Sequence, residues 1–560
     1  MIIIEISIII NDDHRYYDQM EGNLSFQRES ISFSFDIMSP NPHKQNEILQ
    51  QYPNDHTVNV IGLNPPLADF DRIFQPHDEL YRLESRDHSR YQSSWLVYGA
   101  TLSAHMASIT LGSAFGWNSP AMEEMNENYT DSSGWHTPLL PSNKEKRLIS
   151  SILSIGAIFG GLLCGLFIDL LGRRKTLMSL GLPFGIGWLC IGFARSSFLI
   201  LSGRIITGLG IGIALATVPT YLAEIATPND RGHIGMSFNF FVVLGIVFMD
   251  IINIFNFHWN QLAFWALLPA ALLVITMYFM PETPTWCMNR ITVSNEALIM
   301  AEKNLRRLRT KESDIHGELR DLYEFAQQVR LAKKNRIKLS MRSIQRPDIY
   351  KPMLIAIFAL FFQQFSGVNG VQFYMNDIFA RSGSNLTAKQ STLISNAFML
   401  LATIVGAFAI DRFGRRILIM LSALGMALSI GALGFYYYKH PELAHDYDGS
   451  IEPTSSHLPI ICLSIFVSSF SLGVGPITWI IITEITPPQT VWLISSIASI
   501  FSWIFTFIVV NETQSFFIIF NEYGTYWIFS SISFICIIFA YCLPETKGKT
   551  MEEIGKIFNY

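Results

Sequence analysis

Apolar residues along this 560-residue chain gather into runs of about 20, separated by short polar joints. Twelve runs recur, over residues 94–117, 147–170, 176–195, 200–223, 234–254, 262–281, 352–376, 390–411, 417–438, 459–483, 491–511 and 524–543. A helix rises about 1.5 Å per residue, so about 20 residues cross the ~30 Å hydrocarbon core of a bilayer. Inside that core only a helix or a closed barrel satisfies its own backbone, and these runs lack the alternation of barrel strands. The pattern predicts an all-α membrane protein with twelve transmembrane helices. Residues 286–350 divide the runs six and six, and within them 295–309 and 315–334 read as amphipathic surface helices. The expected organisation is a tail over 1–93, six-helix halves over 94–285 and 351–543, the loop 286–350 between them, and a second tail over 544–560.

Composition sharpens this picture. The chain is 50% hydrophobic and only 15% charged, against about 25% charged in soluble domains. The charges are also uneven. Residues 1–93 hold 15 of the 45 acids and 7 of the 40 bases, a net of −8, and the remainder carries +3. An acidic polar head ahead of an apolar body excludes a soluble multi-domain enzyme and a nucleic-acid binder with a basic face. Residues 1–10 lack the basic start and the length of a signal peptide, so the head reads as a mostly disordered cytosolic tail. The six cysteines show no CxxC pair or metal-ligand spacing, and the expectation is no disulfide framework.

Basic residues orient the spans. The joints 171–175, 225–232 and 412–416, with 544–560, hold 10 Lys/Arg in 35 residues; the opposite joints hold 5 in 85. The basic set, the central loop and both termini are therefore expected in the cytosol. The acceptor sequons at Asn128 and Asn385 fall on the other side, as candidate glycosylation sites.

The halves repeat a sparse pattern of charges. Asp169 with Gly172-Arg173-Arg174 follows span 2, and Asp411 with Gly414-Arg415-Arg416 follows span 8. A Pro-led glutamate ends the fourth span of each half: Pro219 leads to Glu224, and Gly475-Pro476 to Glu484. Each half closes on Pro-Glu-Thr, at Glu282 and Glu545. Glycine permits a tight turn, and arginines between helix ends pair with acids of neighbouring helices. Together they form a breakable latch at one membrane edge, with Arg231 placed to join Glu224. After Glu484 the corresponding position is Val491, so the second latch is expected to be weaker.

These motifs, with Gln363-Gln364-Phe-Ser-Gly367-Val-Asn369, Gly475-Pro476-Ile-Thr-Trp479 and Pro544-Glu-Thr-Lys-Gly-Lys-Thr550, resemble the sugar porters of the major facilitator superfamily. The resemblance covers about residues 94–556 and lies close to facilitative glucose transporters and insect trehalose-transporter-like proteins. It implies two pseudo-symmetric halves with a solute bound between them at the midplane.

Gln363, Gln364 and Asn369 are amides in mid-span. Such groups are costly in hydrocarbon unless they meet partners, and an amide both donates to and accepts from a sugar hydroxyl. Gly367 and Gly370 permit local unwinding that turns them toward one cavity. Trp479 and Trp503 are candidate aromatic faces for a sugar ring. Asn239 stands where the resemblance implies glutamine, and Ser502 and Thr506 where it implies asparagines. Proton-coupled members carry an aspartate in span 1, where this chain has Asn118, so the resemblance implies downhill transport. His105 and Asp250 are the titratable exceptions within spans.

The expected function is therefore alternating-access movement of a hexose or small disaccharide of the glucose or trehalose class, in the plasma membrane. A non-transporting sugar receptor and a proton-coupled symporter remain alternatives. No constellation points to an enzyme, metal or cofactor, and the absence of a Walker A motif argues against a nucleotide-driven pump. The expected partners are the sugar and the lipid bilayer, with no nucleic acid.

Overall fold

The computed structural model describes residues 92–125, 141–289, 295–334, 346–384, 386–441, 456–487 and 490–547. Among these residues the only extended pairing is an isolated bridge between Ser93 and Arg309, and the rest is helix and short joints. Among the described residues, ten stretches are long and apolar enough to cross a membrane. In the first half these include α2 (Asn143–Leu171), α3 (Arg173–Gly192), α4 (Ser197–Ile225) and α6 (Trp259–Phe279), with α5 spanning Arg231–Ile254. The central loop carries α7 (Asn295–Leu308) and α8 (Ile315–Lys334). The second half contains α9 (Pro347–Phe365), α10 (Ala388–Phe413), α11 (Arg415–Lys439), α12 (Leu458–Glu484) and α13 (Val491–Cys542).

Two observations raise ten stretches to twelve spans. The first is α1 (Trp95–Gly116), 22 residues of helix whose hydropathy is diluted by buried Ser103, His105, Ser108, Thr110 and Ser113. The second is α13, whose 52 residues are more than twice the length needed to cross a bilayer once. It bends at Asn521, where φ is 58°, into two membrane limbs. This corrects the expected loop over 512–523, because helix runs through most of it. No Gly or Pro occurs between Val491 and Tyr523 to stop the helix, and Asn is among the few non-glycine residues that tolerate positive φ.

Small residues bring the helices together. A side chain added at Gly156 or Gly160 of α2, or at Gly208 or Gly212 of α4, would collide with the facing backbone. In lipid, where apolar surface alone does not drive association, such close backbone approach supplies packing energy. The buried core includes Trp117, Trp188, Tyr221, Tyr374, Tyr437 and Tyr526.

The Gly-Arg-Arg joints fold alike. Gly172 and Gly414 have φ of 88° and 87° with ψ of 169° and 163°, a region essentially reserved for glycine that costs other residues on the order of 1–3 kcal/mol. A Cβ at Gly172 would lie 2.5 Å from Glu282 Oε2, and one at Gly414 would lie 3.1 Å from Glu545 Oε2. Gly172→Ala is therefore expected to lower the thermal inactivation temperature more than Gly414→Ala. Equal losses in detergent would refute this ranking.

Candidate functional site

The break in α9 organises the mid-membrane amides. Its helix stops at Phe365, Gly367 takes φ 85°, and a short helix restarts at Val368. The break lets Asn369 Nδ2 donate to Gln364 Oε1, a contact that an unbroken helix would not present at this spacing. Gln364 Nε2 donates in turn to Ser502 Oγ of α13 at 3.1 Å. Gln364 is thus the hub of a three-residue chain, and Trp503, next to Ser502 in sequence, is buried. Thr506 donates to the Ser502 carbonyl at 2.8 Å.

Gln363 points elsewhere. Its Nε2 donates to the carbonyls of Val474 (3.2 Å) and Gly475 (2.8 Å), where α12 is broken at Gly473. It braces that break, while its Oε1 is buried without a partner. Trp479, on the far side of the break, packs against an apolar cluster of Ile349, Leu360, Ile482 and Ile494. Asn239 is half-buried in α5 and has no recorded hydrogen bond, so this structure does not tie it to the α9 amides. Asn118 Oδ1 accepts from the guanidinium of buried Arg204 at 3.0 Å, and Arg204 also donates to the carbonyls of Ala114 and Ile149.

The two ends of the molecule differ in how the halves meet. At the end opposite the Gly-Arg-Arg joints, where the sequence leads one to expect the sequons (the sequon end), bonds cross between halves. Asn118 Nδ2 donates to the Phe373 carbonyl at 3.2 Å. The Asn376 backbone donates to Ser119 Oγ, and its side chain to Glu123 Oε2, both at 2.8 Å. Ser151 donates to Asn511 at 3.4 Å, and Arg147 donates to Ser515.

At the basic end, the two recorded latch pairs stay within their own halves. Arg173 donates twice to Glu224 Oε1, at 3.1 and 2.8 Å, and Arg415 twice to Glu484 Oε1, at 3.2 and 3.0 Å. In this state each pair fastens neighbouring helices inside one half. Glu282 accepts from the Arg174 backbone at 3.0 Å, and Glu545 from the backbones of Arg415 and Arg416 at 3.1 Å each. Burial pushes the Glu282 carboxyl above its ordinary range, against the pull of its backbone donors. Burial also opposes charge on Glu545, but donors from Lys547, Arg415, Arg416 and Thr546 outweigh it and hold that carboxyl below the ordinary range.

Three latch residues fall outside this arrangement. Arg231 is exposed, and the cation paired with Glu224 is Arg173. The neighbouring anchor is instead the buried pair Arg309–Glu318 (2.6 Å), with Arg309 also donating to the Ile225 carbonyl at the end of α4. Asp169 is exposed and contributes only its carbonyl, to Trp286 Nε1 at 3.2 Å. The Asp411 side chain, Asn128 and Asn385 lie outside the described residues. Sequence reasoning passed over Arg204, Asn376 and Asn396; the signal was present, since a charge or amide inside an apolar span needs a partner.

The family described as sugar (and other) transporter matches residues 100–558. A facilitated trehalose transporter of Apis mellifera ligustica is 32% identical over 468 residues, covering 82% of this chain and 87% of that relative. One of Drosophila sechellia is 33% identical over 475 residues, and there the match covers 82% of this chain but about half of the relative, 52%. Among solved structures, the inward-open xylose transporter of E. coli superposes with a TM-score of 0.64 at 22% identity, covering 82% of this chain and 99% of that one. The chain belongs to the sugar (and other) transporter family and has the major facilitator fold, as a non-enzymatic integral membrane protein.

Proposed function

We propose that the protein carries a hexose or small disaccharide across the plasma membrane by alternating access, downhill, with both termini cytosolic. The observation that supports this reading is the Asn369–Gln364–Ser502 chain at the α9 break, which brings two amides and a hydroxyl together within apolar helices. Such groups exchange their mutual bonds for those of a polyol at little net cost. The trehalose transporters among its relatives support the disaccharide end of the range. The location of the basic joints supports the orientation, and the ties between halves at the sequon end support a state closed on that side.

Asn118 supports the downhill mode. Its amide cannot titrate, and Arg204 already holds its oxygen at 3.0 Å. Reconstituted vesicles offered trehalose, glucose and polyols separately are expected to show saturable uptake that equilibrates without accumulating, unchanged by a protonophore. Binding without flux would favour a receptor. Accumulation that collapses with the proton gradient would favour a symporter.

A further inference from the structure

One tie between the halves contains a titratable group that the transport reading leaves unused. Asp250 lies near the sequon end of α5 and is 2% exposed. Its Oδ2 accepts from Asn396 Nδ2 of α10 at 2.7 Å, and Asn396 Oδ1 accepts from Gln372 Nε2 at 3.1 Å. A carboxyl of one half is thus held by a relay of amides from the other.

The charged and titratable groups on the elements around it lie at the far end or are engaged elsewhere. Arg231 and His233 of α5 and Arg412 of α10 sit at the basic ends of their helices. His105 of α1 bonds Ser237 Oγ of α5 at 2.6 Å, about three and a half turns from Asp250. On α10, Lys389 donates to Asn256 Oδ1 at 2.9 Å. Behind α1, Arg204 of α4 serves Asn118 and two carbonyls. Beyond α1, Glu123 accepts from Asn376 and Glu124 pairs with His258, while the segment following α9 pairs Asp377 with Arg381. Among the described residues, the recorded partner of Asp250 is the neutral amide of Asn396.

Closing water away from an ionised carboxylate that has no counter-charge is costly, whereas a carboxylic acid keeps the Asn396 bond through its carbonyl oxygen without that cost. We propose that Asp250 is a proton-binding site of this gate, taking a proton from water on the sequon side as the gate closes and returning it to the same side as the gate opens. Because the proton does not cross the membrane, it supplies no driving force. Acid on that side favours the closed gate. The inference rests on the alternating-access reading above.

The test uses the full chain in liposomes with Ser119→Cys as reporter. Ser119 is buried in the closed gate, where its hydroxyl accepts from the Asn376 backbone across the halves. Labelling from the sequon side by an impermeant maleimide is followed between about pH 8 and pH 6, less the background of the native cysteines. One proton changes a two-state equilibrium by at most about tenfold per pH unit. With Asp250 present, labelling is expected to slow on acidification by several-fold more than the thiol's own titration explains. Asp250→Asn keeps an acceptor for Asn396 and is expected to label slowly throughout, with the thiol's dependence alone. Asp250→Ser, a second variant should the first fail to insert, is expected to lose the same excess dependence. Equal pH profiles with and without Asp250, in chains that do label, overturn the proton site and leave alternating access standing. A reporter that never labels at any pH overturns both.

Discussion

Gln364→Ala is expected to weaken sugar binding by roughly 5- to 150-fold, the equivalent of about 1–3 kcal/mol for buried groups left without a partner. The substitution removes an acceptor and a donor together. It strands the Asn369 amide and the Ser502 hydroxyl, the two groups that Gln364 joins. Asn369→Ala is expected to cost less, because the Gln364–Ser502 bond survives it. Gln363→Ala provides the contrast. Its amide braces the α12 break through Val474 and Gly475, so its loss is expected to slow transport more than it weakens binding. Equilibrium binding and initial flux on correctly inserted protein separate the two effects. Unchanged binding in a Gln364→Ala, Asn369→Ala double variant would sink the assignment.

Glu224→Gln is expected to shift the population toward the state described here, closed at the sequon end, by more than Glu484→Gln does. Each glutamate spends one oxygen on its arginine, and the other, Glu224 Oε2 or Glu484 Oε2, is buried without a partner. This state therefore leaves one acceptor unsatisfied in each half. We infer that the opposite state, which brings the basic ends together, satisfies them; removing the charge then costs that state more. Burial ranks the two. The Arg173–Glu224 side chains are 11% and 14% exposed at 2.8 Å, against 18% and 27% at 3.0 Å for Arg415–Glu484. Breaking a partly buried pair costs up to a few kcal/mol; because both pairs also exist in this state, only the further loss in the opposite state shifts the equilibrium, by up to about one to two orders of magnitude. Val491→Arg is expected to act in the opposite direction by supplying Glu484 with a second cation. Accessibility of cysteines at both ends, read on the three variants, checks the ranking. Equal shifts for the two glutamates would show that unequal burial does not make an unequal latch.

Much of this architecture was legible because hydrophobic length and charge placement are properties of single segments. Apolar runs long enough to cross a bilayer specify helices wherever they sit in the chain, and recurrence of Gly-Arg-Arg and Pro-Glu-Thr reveals the two halves before any packing is known. The same holds in part for the α9 amides, since a polar group in a span needs a partner and Gly367 marks where the helix yields, whereas Gly370 lies inside the short helix that follows. α1 was found by run length despite the polar residues that dilute its hydropathy. The loop expected between the last two spans was misplaced because helix continues where neither Gly nor Pro stops it, and a single Asn makes the bend.

Which groups meet was decided only by the tertiary structure. Spacing placed Arg231 beside Glu224, but the helix ends carry Arg173 there and leave Arg231 exposed. Gln363 and Gln364 are adjacent in the chain, yet successive side chains on a helix diverge by about 100°. One therefore braces the broken α12 and the other reaches Ser502 on α13. The tie from Asp250 to Asn396 joins residues 146 positions apart, and the unequal burial of the two arginine–glutamate pairs likewise depends on how four helices crowd at each corner. A sequence determines the length, polarity and breaking points of each helix. The partners of its buried polar groups depend on the crossing and rotation of helices packed side by side, and those are set by contacts between distant residues.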